Sequence, residues 1–171
     1  MKWKGKLIKQ FIGELKNDSQ WSKLIEKVSN GSTVGVHLAV FNEPFLDLIL
    51  SGEKKIESRF SINKIRPFMK VTKGDIIILK KSGGHVVGVF VAGKVKYFSK
   101  LSKTDIKKIE EEYGKLICSN YDKEFWKIRS KIQYASLIEI GRVKKVNPIR
   151  AEKKDRSGWS ILQERTTPTL F

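Results

Sequence analysis

Leu50-Ser51-Gly52-Glu53-Lys54-Lys55-Ile56-Glu57-Ser58-Arg59-Phe60 is the stretch that decides how this chain folds. An apolar run, Val34 to Phe41, precedes it, and a short helical run from Glu43 to Leu50 leads into it. Gly52 breaks that run, as a glycine just past the last helical turn should. The residues that follow are strand-like but charged. In a regular strand Glu57 and Arg59 share a face. Lys54 points the other way unless it still sits in the turn, which its place just after Gly52 allows.

Gly52-x-Lys54-x-x-Glu57-x-Arg59 resembles the G-x-K-x-x-E-x-R signature of the ASCH family, the activating-signal-cointegrator homology domain. The surroundings agree: a strand and a short helix before it, then Lys73-Gly74-Asp75 and another apolar strand. The resemblance covers roughly Val34 to Leu162. It implies an α+β fold, a PUA-like mixed β-barrel of ASCH type with flanking helices. It also implies a ligand cleft beside the signature. Some proteins similar to ASCH domains hydrolyse an amide on a modified cytidine, and others are ribonucleases. The amidohydrolase type carries a threonine where this chain has Glu57, so that mechanism does not carry over directly.

Composition narrows the partner. The 171 residues hold 35 Lys and Arg against 18 Asp and Glu, a net charge of +17, which favours a polyanion. The competing reading is a lysine-rich chain whose cations are simply solvated. Cys118 is the single cysteine, which excludes an intrachain disulfide and suits a reducing compartment. Lys9, Gln10 and Glu14 interrupt the apolar residues after the basic start, so no signal peptide is read. The longest apolar run, Val86 to Gly93, is too short to span a bilayer. The expectation is a cytoplasmic protein with no membrane partner. No metal-ligand spacing surrounds His37, and no cofactor motif occurs, so no metal or cofactor is expected.

Three segments follow from the pattern: an N-terminal helical extension over 1–32, the barrel over 33–163, and a tail over 164–171. Leu7, Ile8, Phe11, Ile12 and Leu15 make one helical stripe, and Trp21, Leu24, Ile25 and Val28 a second. These helices are expected to pack on the barrel and cover an open edge; a partner-binding arm is the alternative. Ile76 to Lys80 reads as a strand buried on both faces, with Ser82-Gly83-Gly84 turning it into a long strand, Val86 to Phe98. Gly88 and Gly93 mark bends or bulges in it. Ser102-x-x-Asp105 is a capping box for a helix over Lys103 to Tyr113 that Gly114 stops. Asp122 is read as the cap of a further helix through Phe125, Trp126, Ile128 and Ile132. Tyr134 to Val143 reads as a strand, with Glu139 either paired or displayed in a cleft. Trp159 and Ile161 alternate as a closing strand would.

The first functional expectation is nucleic-acid binding, RNA before DNA, or binding of a nucleotide-like ligand. Lys54, Arg59, Arg66, Lys80 and Arg156 are the candidate phosphate partners. Phe68 and Trp159 are the candidate stacking surfaces, with anchoring of an ordinary solvated loop as the competing and commoner role for Phe68 and core closure as that for Trp159. The alternative is a hydrolase, in which Glu57 serves as general base on water while Lys54 or Arg59 stabilises developing charge. A structural ion pair at the barrel mouth is the bland alternative for Glu57 and Arg59. A third reading makes the N-terminal helices the working surface of an interaction module. Sequence leaves the choice between enzyme and binder open, and the oligomeric state unread.

Overall fold

Strands with apolar residues in both phases of the period-two pattern belong in the middle of a sheet, because both faces must be covered. The computed structural model, which describes residues 2–30 and 33–166, places two such strands there. In β1 (Val36–Phe41) and β3 (Ile76–Lys81), Val36, Leu38, Ile76 and Ile78 face one layer. Ala39, Phe41, Ile77 and Leu79 face the other. Around them lie β2 (Ile56–Ser61), β4 (Val86–Phe98), β5 (Tyr134–Ile149) and β6 (Trp159–Gln163). The sheet order is β2-β5-β4-β3-β1-β6, with β1 and β3 parallel and the other neighbours antiparallel. The sheet curls into a half-barrel, so its edge strands β2 and β6 approach each other across an unpaired seam.

The curl needs irregular pairing between the two longest strands. Register shifts interrupt β4 against β5 between Val86 and Gly88, Phe90 and Ala92, and Ala92 and Val95. A side chain at Gly88 would stand 2.6 Å from the Leu50 Cδ2 methyl, so the bend is also a packing requirement.

The first two helices, α1 (Trp3–Leu15) and α2 (Ser22–Ser29), cover one face of the sheet. Leu7, Phe11, Leu15, Trp21, Ile25 and Val28 join Val36, Leu38, Ile76, Ile78 and Val89 in a single core. Burying each of Leu7, Phe11 and Leu15 contributes about 1.5–3 kcal/mol. The helices therefore pack on the barrel as the stripes predict, but they complete a hydrophobic layer over a face of the sheet, where the expectation is an open edge. The other face of the sheet closes over α3 (Phe45–Leu50), with Leu46 and Ile49 beneath Phe41, Leu79, Phe90 and Trp159.

A third core lies under α4 (Lys103–Ile117), where Ile106, Ile109, Tyr113 and Ile117 meet Phe125, Ile132 and Leu137. Its capping box forms as read: the Asp105 amide donates to Ser102 Oγ, and the Ser102 amide to Asp105 Oδ2. Two boundaries differ from expectation. Gly114 does not stop the helix. Its missing Cβ instead admits Ser119, whose hydroxyl donates to the Gly114 carbonyl at 3.0 Å. The helix ends at Cys118, which turns left-handed at φ 63°. No helix follows Asp122; residues 123–131 form successive turns instead. There Phe125 is held by edge-on contacts with Phe60 and Trp126, and tertiary packing overrides the helical spacing.

β5 continues past Val143 to Ile149, because Val86 pairs with Ile149. Glu139 is exposed, neither paired nor in a cleft, and lies over Gly93. Past β6, Arg165 donates to the Thr33 carbonyl and pairs with Asp75, so the expected tail is anchored at its start. The remainder of that tail, 167–171, lies outside the described residues, as do residues 31 and 32.

Candidate functional site

Gly52 adopts φ +82°, and the Lys54 amide then donates to the Leu48 carbonyl at 2.9 Å. Lys54 thus still belongs to the turn, and β2 begins after it at Ile56. That one fact puts Lys54 on the side of Glu57. The Lys54 ammonium reaches the C-terminal end of α4, donating to the Ile117 carbonyl at 2.7 Å, where the helix dipole favours a cation. It stands 3.6 Å from Glu57 Oε2 and 5.3 Å from the centre of the Phe45 ring. Lys54 is only 3% exposed and Glu57 only 5%. Loss of water pulls the Lys54 pKa below the ordinary lysine value, against the opposing attraction of Glu57.

Arg59 sits on the other side of the same carboxylate. Its Nε donates to Glu57 Oε1 at 2.8 Å. Its two terminal nitrogens donate to the Val40 carbonyl at 2.9 Å and the Gly158 carbonyl at 3.3 Å. One guanidinium therefore ties β2 to β1 and to the approach of β6, across the seam between the sheet's two edges. Its plane also lies near Phe41 and Trp159, at 4.8 and 5.3 Å from the ring centres. Glu57 Oε2 has no hydrogen-bond partner, although it is buried. A buried carboxylate oxygen left so is costly, offset in part by the Lys54 charge at 3.6 Å.

Two hollows open along the seam and share Arg59 and Phe60 as their common wall. The larger, of about 660 Å³, is lined by Arg59, Lys64, Arg66, Arg156 and the edge of Trp159, and by no carboxylate. The smaller, of about 370 Å³, holds Lys54, Glu57, Arg59, Arg129 and Asp122. The seam thus brings Lys54, Glu57, Arg59, Arg66, Arg156 and Trp159 together from three separate parts of the chain.

Two expected members lie elsewhere. Lys80 lines neither hollow; its ammonium donates to the Lys81 carbonyl, and burial beside Lys153 lowers its pKa. Phe68 is 9% exposed and wedged edge-on between Tyr97 and Tyr134, so it anchors its loop and offers no stacking face. Trp159 is 1% exposed, and Arg59 covers it, so its role is closure of the core with only an edge in the hollow. Arg129 and Lys64 are cations at the site that the expected set omits. Arg129 stacks on Phe125 at 3.8 Å, far along the chain from the signature, and no spacing rule connects them.

Beneath Trp159 lies a buried chain of hydrogen bonds. The indole N–H can only donate. It donates to His37 Nδ1 at 3.1 Å, so the His37 proton sits on Nε2 and is given to Asp75 Oδ2 at 3.1 Å. Burial pushes the Asp75 pKa up, but hydrogen bonds from His37 and from the Thr72 and Gly35 amides outweigh it and hold the carboxyl below its ordinary value. His37 is a core residue with both nitrogens satisfied. Among the described residues no group of three or more His, Cys, Asp or Glu side chains is placed to hold a metal ion. Nor is any of their helices long and apolar enough to cross a membrane.

Comparison with known proteins places this architecture. The crystal structure of ASCH from Zymomonas mobilis superposes with a TM-score of 0.59 at 14% identity, over 75% of this chain and 87% of that one. A point mutant of the Zymomonas protein gives 0.60 at 13% identity, over 78% and 92%. At such identity the likeness is one of fold. No curated protein matches the chain. The ASCH domain family model matches residues 40–153, two-thirds of the sequence and the whole of the signature. The chain belongs to the ASCH domain family.

Proposed function

We propose that this protein binds RNA along the seam, with the phosphate backbone in the larger hollow. The observation that carries the reading is the lining of that hollow: Arg59, Lys64, Arg66 and Arg156 converge with no acid among them. Four cations held around one concave surface focus potential far more than the same charges spread over a globule. The volume, about 660 Å³, suits a nucleotide-sized guest. The net charge of +17 adds long-range attraction, and the resemblance to ASCH domains points to RNA. Filter binding of single-stranded and duplex RNA and DNA across a salt series tests this. RNA is expected to bind at low salt, and each of Arg66→Gln and Arg156→Gln to reduce the log–log salt slope by about one. Absence of affinity for every nucleic acid at low salt would end the reading.

One observation favours hydrolysis as a second reading. Glu57 lines the smaller hollow, and its buried Oε2 lacks a hydrogen-bond partner, with Lys54 at 3.6 Å. A carboxylate so placed can accept a proton from water while Lys54 or Arg59 stabilises negative charge. Incubating RNA and acylated nucleosides with the protein, with Glu57→Gln as control, separates the readings. Products that vanish with Glu57→Gln mark an enzyme; intact substrates with retained binding mark a binder.

A further inference from the structure

Six large apolar side chains stand exposed among the described residues: Ile62, Ile65, Met69, Leu116, Tyr121 and Ile128. Single exposed aliphatics are ordinary on any surface. The distribution here is not scattered. Ile62, Ile65 and Met69 fall in the one loop that walls the larger hollow, and Ile128 stands on the lip of the smaller one.

These side chains are also held out. Phe68 is locked between Tyr97 and Tyr134, and the Tyr97 hydroxyl exchanges hydrogen bonds with the Val71 amide and carbonyl. With the Phe68 amide donating to the Ile65 carbonyl at 3.0 Å, the loop is anchored from below, and Ile65 stays 60% exposed. On the other lip, Arg129 lies flat on Phe125 and donates to its carbonyl at 2.8 Å. The neighbouring Ile128 is left 70% exposed. Each apolar tip stands beside a cation: Ile65 between Lys64 and Arg66, Ile128 before Arg129.

Resting on the RNA reading above, we propose that Ile65 and Ile128 are apolar wedges that enter between neighbouring bases of the bound strand, which is held unstacked over Arg59. Aliphatic side chains separate base steps in this way, and adjacent cations hold the flanking phosphates. Ile65 lines the larger hollow and Ile128 the smaller, and the two hollows share the Arg59 and Phe60 wall. A strand lying across that wall meets both. A base turned out of the stack has the smaller hollow to enter, which Lys54, Glu57 and Arg59 line. An anionic bilayer also attracts cationic loops with aliphatic tips, but a flat surface leaves both hollows unfilled.

The test walks 2-aminopurine along a short single-stranded RNA, since its emission rises when it loses stacking. Wild type is compared with Ile65→Ser, Ile128→Ser and the double variant, each checked for an unchanged thermal melt. The expected result is a severalfold rise at one or two adjacent positions on binding, lost in the double variant while the salt slope stays the same. Binding without a rise at any position overturns the wedges and leaves RNA binding standing. A rise that survives in the double variant also overturns them. Failure to bind any RNA overturns both readings. If vesicles of phosphatidylcholine and phosphatidylserine are then bound, and the two serines abolish that, the tips belong to a membrane contact instead.

Discussion

Arg59→Ala is expected to destabilise the protein by about 3–5 kcal/mol, the range for breaking a buried pair by removing one partner. Three features of the structure set that magnitude. The side chain is 22% exposed, so solvent screens little of its interaction with Glu57. Truncation leaves the buried Glu57 carboxylate with only the more distant Lys54 at 3.6 Å, and its Oε1 loses its donor at 2.8 Å. It also leaves the Val40 and Gly158 carbonyls without their guanidinium donor, and a hydrogen bond to a charged group contributes about 1.5–3 kcal/mol. A domain with about 5–15 kcal/mol in total would lose a large share. Urea unfolding by linear extrapolation measures the change, with an unchanged m value showing that the native state is still compact. A double-mutant cycle with Glu57→Gln isolates the pair; a coupling of about 0.5–3 kcal/mol is expected for groups in contact. A loss below about 1 kcal/mol for Arg59→Ala, or additivity within about 0.5 kcal/mol, would refute the clasp across the seam.

Three further outcomes follow. Lys80→Gln is expected to leave the salt slope of RNA binding unchanged, whereas Arg156→Gln lowers it by about one; equal effects would show that position in the hollow is irrelevant. Asp75 has a depressed folded pKa, so its stabilisation is complete above the unfolded value of about 3.9 and is lost as pH falls from there through the folded value. Asp75→Asn should therefore flatten the acid limb of a stability–pH curve in that window, and an identical limb would contradict the hydrogen-bonded carboxylate. Gly141→Ala places a Cβ 2.6 Å from the Val91 carbonyl oxygen, backbone that cannot swing aside. A loss of about 1–3 kcal/mol by thermal or urea unfolding is expected, and a neutral result would mean that the strands part without strain.

The amino-acid sequence determined the features that depend on neighbours along the chain. Two-phase apolar alternation placed Val36–Phe41 and Ile76–Lys81 inside the sheet. Ser82-Gly83-Gly84 turned one long hairpin, Ser102 and Asp105 closed their capping box, and the glycine, lysine, glutamate and arginine of the signature named the family. Turns, caps and periodicities are settled by a few adjacent residues, so they can be read from a string. Only the tertiary structure decided what the curl of the sheet brings together. It set Arg59 against carbonyls of two distant strands, gathered Arg66 and Arg156 into one hollow, and carried Arg129 to the other. It also buried Phe68 and left Lys80 away from the site, although both were candidates in the sequence. The physical reason is the same throughout. A side chain's neighbours across a curled sheet depend on bulges, register and curvature summed over many residues, and local pattern carries no record of that sum.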